Sequence, residues 1–196
     1  MSYQTYITDA IVVGSYASNT ADKSYLLFTK RAGMLYASAR SVREERSKQR
    51  YALQDFSHIT VTLVKGKGGW RIGSVEVHEN FFMKTSTRAE RGSIVKVTKL
   101  LRRYVQGEAP EEDLYEEFVD ALTLLTQPDL AVREAFEFAV MVRLLALLGY
   151  VAKDSVLETV LTKPLLTLTP DEVEAVAVDV ALAYRGAQAV SHLDAS

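Results

Sequence analysis

The spacing of the apolar residues changes once along this chain, and that change limits the fold more than any single motif does. Up to about residue 77, apolar and polar side chains alternate in short runs. Beyond residue 90 the apolar ones return at every third or fourth position. The first spacing is that of strands and the second that of helices. The strand-like runs are Tyr6–Val13, Ser24–Thr29, Met34–Ala39, His58–Val64 and Trp70–Val77. Ile59, Val61 and Leu63 alternate with Thr60 and Thr62, and in the last run Trp70, Ile72, Ser74 and Glu76 share one side. Gly33 marks a tight turn, and Gly66, Gly68 and Gly69 mark another. An open sheet of five short strands would expose two edges, so a closed or partly closed barrel is expected.

Helices are predicted over Glu90–Val105, Glu111–Leu125, Leu130–Leu148, Lys153–Leu161 and from Pro170 to about Gly186. Ile94, Val97, Leu100, Leu101 and Tyr104 make one apolar stripe on the first. Glu111, Glu112 and Asp113 open the second, where the helix dipole favours anions. Gly149 is placed to cap the third, and Thr169-Pro170 with Glu172 starts the last.

Between the third and fourth strands, Ser41–Arg50 (SVREERSKQR) has almost no apolar side chain and is expected to be a solvated loop. The charge is unevenly divided. Residues 1–104 hold 18 Lys+Arg and 8 Asp+Glu, and residues 105–196 hold 5 and 17. The basic half suits a polyanion, although the two halves could equally attract each other. The chain has no cysteine, and His58, His78 and His192 lack ligand spacing, so neither a thiolate metal site nor a cofactor is expected. Lys65-Gly66-Lys67-Gly68-Gly69 lacks the spacing and trailing residues of a phosphate-binding loop. No nucleophile–base pair is evident, so binding rather than catalysis is expected. No signal peptide or membrane-length apolar run appears, and a soluble cytoplasmic protein with no membrane role is the expectation.

A small barrel followed by helices points to an OB-fold with a helical partner, and several segments then carry a family likeness. Asp9-Ala10-Ile11-Val12-Val13-Gly14-Ser15-Tyr16, Leu27-Phe28-Thr29 with Gly33, Leu53-Gln54-Asp55-Phe56-Ser57 and Arg143-Leu144-Leu145-Ala146-Leu147-Leu148-Gly149-Tyr150 occur in the order and spacing of one family. In these segments the chain resembles the RecO family of bacterial recombination and repair mediators. The resemblance covers about residues 5–150. It implies an α+β protein with an N-terminal five-stranded OB-fold barrel over residues 1–82 and an all-α helical domain over residues 83–196. It also implies binding of single- and double-stranded DNA, annealing of complementary strands and help in loading recombinase on coated single strands. The implied partners are RecR and the single-stranded-DNA-binding protein. The sequence departs from the family in lacking the cysteine cluster for zinc expected after Tyr150, in Asp55 where proline is usual, and in Asn19-Thr20 where Gly-Glu is usual.

The DNA-binding candidates are Arg40, Arg43, Arg46, Lys48 and Arg50 around the basic loop, Lys30 and Arg31 in a turn, and Lys65, Lys67 and Arg71 near the last turn. Tyr36 and Trp70 are candidates for stacking on bases, although a barrel also needs large residues such as Trp70 inside. Tyr51 and Phe56 are expected to pack. Lys96, Lys99 and Arg103 share a helix face that could extend the DNA track or meet the acidic helix Glu111–Asp120. For an acidic, Phe-ended tail of the coating protein, a hydrophobic groove edged by cations is needed, and Arg133 and Arg143 are the candidates. Arg143 has an equal claim to a buried structural role. Other readings are a protein adaptor with little DNA affinity and an OB-fold RNA binder.

Overall fold

The computed structural model describes residues 4–17, 22–40, 48–128, 130–152 and 154–190. They fall into two compact units. One comprises the chain up to residue 84 together with residues 105–115, and the other comprises residues 85–104 and those from 116 onward.

In the first unit, β1 (Gln4–Ala17), β2 (Lys23–Thr29), β3 (Gly33–Ala39), β4 (Ser57–Gly66) and β5 (Gly69–Asn80) close into a barrel in the order β1-β2-β3-β5-β4. Only β3 and β5 meet in parallel, through Ala37–Trp70 and Ser38–Arg71. This is the OB-fold-like barrel the sequence predicts. β1 runs longer than its alternation suggests because it serves two neighbours. Gln4–Ile11 pairs with β4, and Ala10–Ala17 pairs with β2. A bulge between Val12 and Gly14 bends it from one partner to the other. Tyr25, Leu27, Leu35, Ile59, Val61 and Leu63 fill the interior.

Two expectations change here. The β4–β5 register slips between Val61 and Leu63, where Val61 faces Val75 and Leu63 faces Ile72. The extra residue on β5 reverses the alternation, so Val75 packs against the core while Ser74 and Glu76 are exposed. The basic segment is also not all loop. Lys48–Ala52 forms a short helix, α1, because Ala52 and Leu53 are buried and Leu53 joins the barrel core. The Gln49 amide holds α1 to β5 by donating to the Gly73 carbonyl at 2.5 Å.

After β5 come α2 (Phe81–Lys84) and α3 (Arg88–Tyr104), and the chain then returns to the barrel. The Met34 N–H donates to the Gly107 carbonyl at 3.0 Å, and the Lys65 ammonium donates to Glu108 at 2.9 Å. The Phe28 and Tyr115 rings pack at 5.5 Å. Gly33 lies where this return segment comes closest. Its φ is +65°, and a Cβ there would stand 2.2 Å from the Ala109 carbonyl oxygen.

The second unit contains α3, the greater part of α4 (Glu112–Leu125), α5 (Arg133–Leu147), α6 (Glu158–Thr162), α7 (Pro170–Glu174) and α8 (Ala177–Val190). α3 starts on a capping box. The Glu90 N–H donates to the Thr87 hydroxyl, and the Glu90 carboxylate accepts from the Ser86 N–H at 2.7 Å and the Thr87 hydroxyl at 2.8 Å. These bonds, the Ser86 N–H first, hold the buried Glu90 carboxyl below its ordinary pKa. α5 ends as predicted at Gly149, whose φ is +81°. The Gly149 N–H donates to Ala146 and the Tyr150 N–H to Leu145, the paired bonds of a Schellman end. The segment read as one helix over Lys153–Leu161 is a 3-10 turn, Ser155–Leu157, followed by α6, and the last predicted helix is broken at Ala175–Val176 into α7 and α8. The capping box at Thr169 and Glu172 is present as the sequence indicates.

Candidate nucleic-acid interface

Strand alternation and register together determine what the barrel shows outside. Tyr25 and Leu27 of β2 point inward, so Ser24 and Leu26 point outward. Tyr36 of β3 lies opposite Leu26, and Tyr16 of β1 lies opposite Ser24. The two tyrosines therefore share the outer face across β2. Tyr16 and Tyr36 are 42% and 58% exposed, and their ring centroids are 5.9 Å apart. Ser38 follows Tyr36 on the same face, and the parallel pairing with β5 sets Arg71 beside it. Ser38, Arg40, Gln49 and Arg71 line a groove of about 330 Å³. An exposed aromatic pair thus sits on the same outer face as a groove carrying two guanidinium groups. Sequence reasoning found Tyr36 and missed Tyr16, whose only signal was the β1–β2 register.

The other sequence candidates are dispersed. Lys30 and Arg31 occupy the turn at the opposite end of β2 and β3, where the Lys30 N–H donates to the Asp9 carbonyl at 3.0 Å. Lys67 is exposed in the β4–β5 turn. Lys65 is bound to Glu108 and lies 4.7 Å above the Trp70 ring. Trp70 is only 7% exposed, with the edge of Tyr6 at 5.3 Å, so it serves the core and is not placed as a stacking platform. Arg50 is exposed on α1, and so is Tyr51, which was expected to pack. Phe56 does pack, stacking on Phe82 at 5.4 Å. Arg43 and Arg46 lie outside the described residues, and Lys48 enters them only as the first backbone position of α1.

The charge division seen along the sequence does not survive folding. The return segment brings Glu108, Glu111, Glu112 and Asp113 to the barrel unit, while the six cations of α3 belong to the helical unit. The barrel unit therefore has 12 Lys+Arg against 11 Asp+Glu, and the helical unit has 11 against 14. Within the latter, Lys96 pairs with Glu137 of α5 at 2.9 Å and lies 5.0 Å from the Phe138 ring. It meets α5, not the acidic α4. Lys99 is exposed, and Arg103 lies over the Tyr104 ring at 5.7 Å.

On another wall of the barrel, His58 and His78 meet edge to face at 4.9 Å. Thr60 bonds both the Asp9 carboxylate at 2.6 Å and His78 at 2.8 Å. Burial, and after it the neighbouring His78, lowers the pKa of His58.

In the helical unit, α5 and α8 border an apolar groove of about 610 Å³ lined by Phe138, Val178 and Leu182, with Arg133 and Arg185 among its walls. Arg133 also closes the end of α4, donating to the Leu125 carbonyl at 2.9 Å and the Gln127 carbonyl at 2.8 Å. Arg143 is elsewhere. It is 7% exposed and donates from Nε and Nη2 to the two carboxylate oxygens of Glu117, at 2.5 and 2.8 Å, while Nη1 donates to the Lys163 carbonyl at 2.7 Å and to the Val160 carbonyl. All three nitrogens of that guanidinium donate internally, so the partner-binding assignment of Arg143 gives way to a structural one.

Comparison with known proteins agrees with the barrel and the helices. Residues 1–81 match the family described as Recombination protein O N terminal, and residues 94–152 match Recombination protein O C terminal. The chain belongs to the RecO family. It is 29% identical over 146 residues to the DNA repair protein RecO of Pelotomaculum thermopropionicum, and 27% identical over 148 residues to that of Symbiobacterium thermophilum. Each match covers 74% of this chain, and 56% and 57% of the two relatives respectively. The zinc that the family resemblance implies does not fit this RecO-family chain. Residues 151–169 contain no cysteine. Among the described residues no group of three or more His, Cys, Asp or Glu is placed to hold a metal ion. The stretch is fastened instead by Arg143 through the Val160 and Lys163 carbonyls, and by Lys163 through Glu172 at 2.7 Å. Among the described residues no helix is long and apolar enough to cross a membrane.

Proposed function

We propose that this chain binds DNA, single-stranded and double-stranded, through the outer face of β2 and β3, and acts as a strand-annealing mediator that helps load recombinase on coated single strands. The observation that carries the reading is the Tyr16–Tyr36 pair on the same face as the groove of Arg40 and Arg71, on an OB-fold-like barrel. The outer face of strands 2 and 3 is where such barrels take oligonucleotides. Aromatic rings accept bases of any sequence, each stack being worth about 1–3 kcal/mol, and guanidinium groups accept the phosphates. The barrel unit is nearly neutral as a whole, so attraction to DNA is local to this face and not a field of the entire unit. A salt slope of only about 1.4 on single strands is therefore expected if Arg40 and Arg71 make the phosphate contacts. The names of the two relatives, both DNA repair proteins, support the same reading. The action is binding, without bond-making chemistry.

The α5–α8 groove supports a second part of the reading, contact with the tail of the single-stranded-DNA-binding protein. The apolar lining suits the Phe end of an acidic tail, and Arg133 and Arg185, which share the walls with Glu134 and Glu174, are the groups that would take its carboxylates.

The test is anisotropy of a fluorescent single-stranded oligomer at low and moderate salt, beside Tyr36→Ala and Arg71→Ala. Binding should weaken with salt, and Tyr36→Ala should lower affinity by about ten-fold. Absence of binding at low salt, or binding unchanged in both variants, would overturn the reading. Equal competition by RNA of the same sequence would replace DNA with single strands in general.

A further inference from the structure

We infer that a polar cleft between the paired ends of β1 and β2 and the segment Arg50–Asp55 is a nucleotide pocket, which takes one base of the bound strand with its phosphate. The inference rests on the DNA-binding reading and adds a place where a base leaves the stack.

The cleft measures about 690 Å³ and is lined by Ser15, Lys23, Tyr25, Arg50, Tyr51 and Asp55, with Leu53 and Gln54 completing it. Its chemistry has three parts. Tyr51 is 69% exposed on a five-residue helix whose apolar anchors are Ala52 and Leu53, so its ring is not needed for the core. An exposed ring lining a cleft offers a face to a flat heterocycle. Lys23 and Arg50 are the two cations of the lining and suit one phosphate. Asp55 and Gln54 add acceptors and an amide donor that can meet the amino and carbonyl edge of a base. Tyr25 lies at the buried side. Burial, and after it Asp55, pushes its phenol up to about 12, so it stays a neutral donor at any working pH. A wholly apolar ligand would leave these polar groups unmatched, and a bare anion would leave the Tyr51 ring unused and meet Asp55.

The cleft and the proposed DNA face share strand β1. Ser15 lines the cleft, and its neighbour Tyr16 turns to the outer face beside Tyr36. A strand lying on Tyr36 and Tyr16 therefore has the cleft on the other side of β1, one residue away at Ser15.

The experiment uses the full chain and a short single-stranded oligomer carrying 5-iodouracil, with photo-cross-linking mapped by peptide mass spectrometry. It is paired with affinities for that oligomer and for an all-abasic oligomer of equal length. The expected result is a cross-link at Tyr51 that persists in Tyr36→Ala. Tyr51→Ala should weaken binding of the base-bearing oligomer by about five-fold or more and leave the abasic one unchanged. Because Tyr51 is exposed, this variant keeps the fold. Cross-links confined to Tyr36 or Tyr16, with Tyr51→Ala binding like the parent, would overturn the pocket while leaving the DNA-binding reading intact. No binding of either oligomer at low salt would overturn both.

Discussion

Replacing Arg143 with methionine tests the strongest structural assignment in the helical unit. Methionine keeps much of the length and apolar volume of the arginine stem and removes only the guanidinium. The Glu117 side chain, 15% exposed, would lose a two-pronged partner. The Val160 and Lys163 carbonyls would lose their donor at the same time. Breaking a buried ion pair by removing one member costs about 3–5 kcal/mol, because the remaining charge stays desolvated. With a urea dependence of about 2 kcal/mol per molar, the unfolding midpoint of the helical unit should fall by about 2 M. Arg143→Met combined with Glu117→Leu removes both charges and should regain a large part of that loss. The orphaned carbonyls keep the recovery incomplete, each being worth about 1–3 kcal/mol when left without a donor. Arg143→Lys should also fail to restore stability, since one ammonium cannot span a carboxylate and two carbonyls in a fixed fork. The assay is urea unfolding followed by circular dichroism on the parent, Arg143→Met, Glu117→Leu, the double variant and Arg143→Lys. A single-variant loss below about 1 kcal/mol, or a double variant as damaged as the sum of its parts, would refute the claim that this guanidinium fastens α5 to α4 and α6.

Three further outcomes follow from particular contacts. Gly33→Ala should destabilise the barrel by roughly 2–5 kcal/mol, since it combines an unfavourable positive φ with a Cβ driven into the Ala109 backbone. Gly68→Ala, with nothing within 4 Å, should change stability by less than about 0.5 kcal/mol in the same thermal melt. Glu172, bonded first by Lys163 and then by the Thr169 N–H, has its carboxyl lowered from 4.5 to about 2. Its contribution is present above the unfolded value and is lost as pH falls from about 4.5 through about 2, so Glu172→Gln should flatten the melting temperature across that window. His58 is lowered below 6.5 by burial and then by His78, so it costs the folded state nothing above that pH and opposes it progressively as pH falls below. In a proton NMR titration His58 should titrate below 6.5, and His78→Ala should raise it. Titration of His58 at or above 6.5 in the parent would contradict the geometry.

Much of the architecture was legible because it depends on local spacing. The alternation of Ile59, Val61 and Leu63, the Thr169–Glu172 capping box and the Gly149 helix end all appear where the residues indicate. The Thr87–Glu90 box was equally legible and was missed. Where the reading failed, distant partners were responsible. The slip opposite Val61 and Leu63 turned Ser74 outward and Val75 inward, and no periodicity within β5 announces a bulge set by β4. The candidate site follows the same division. Tyr36 and the basic character of residues 30–71 can be read in order along the chain, but the meeting of Tyr36 with Tyr16 needs the registers of β1, β2 and β3.

By itself the sequence determined the five strands and the longer helices, and through its ordered segments the family. Those properties follow from side-chain spacing of two or of three to four residues, and from caps within a few positions. Tertiary structure alone decided where charge and aromatic rings end up. The return of residues 105–115 placed four carboxylates on the barrel unit and left α3's cations in the other, so a chain with a basic half and an acidic half folds into a barrel unit that is nearly neutral. Arg143 could belong to a binding surface or a core while only its neighbours in sequence were known. Glu117, Val160 and Lys163, 26, 17 and 20 positions away, enclose it, and a buried guanidinium is tolerated only where such partners satisfy it.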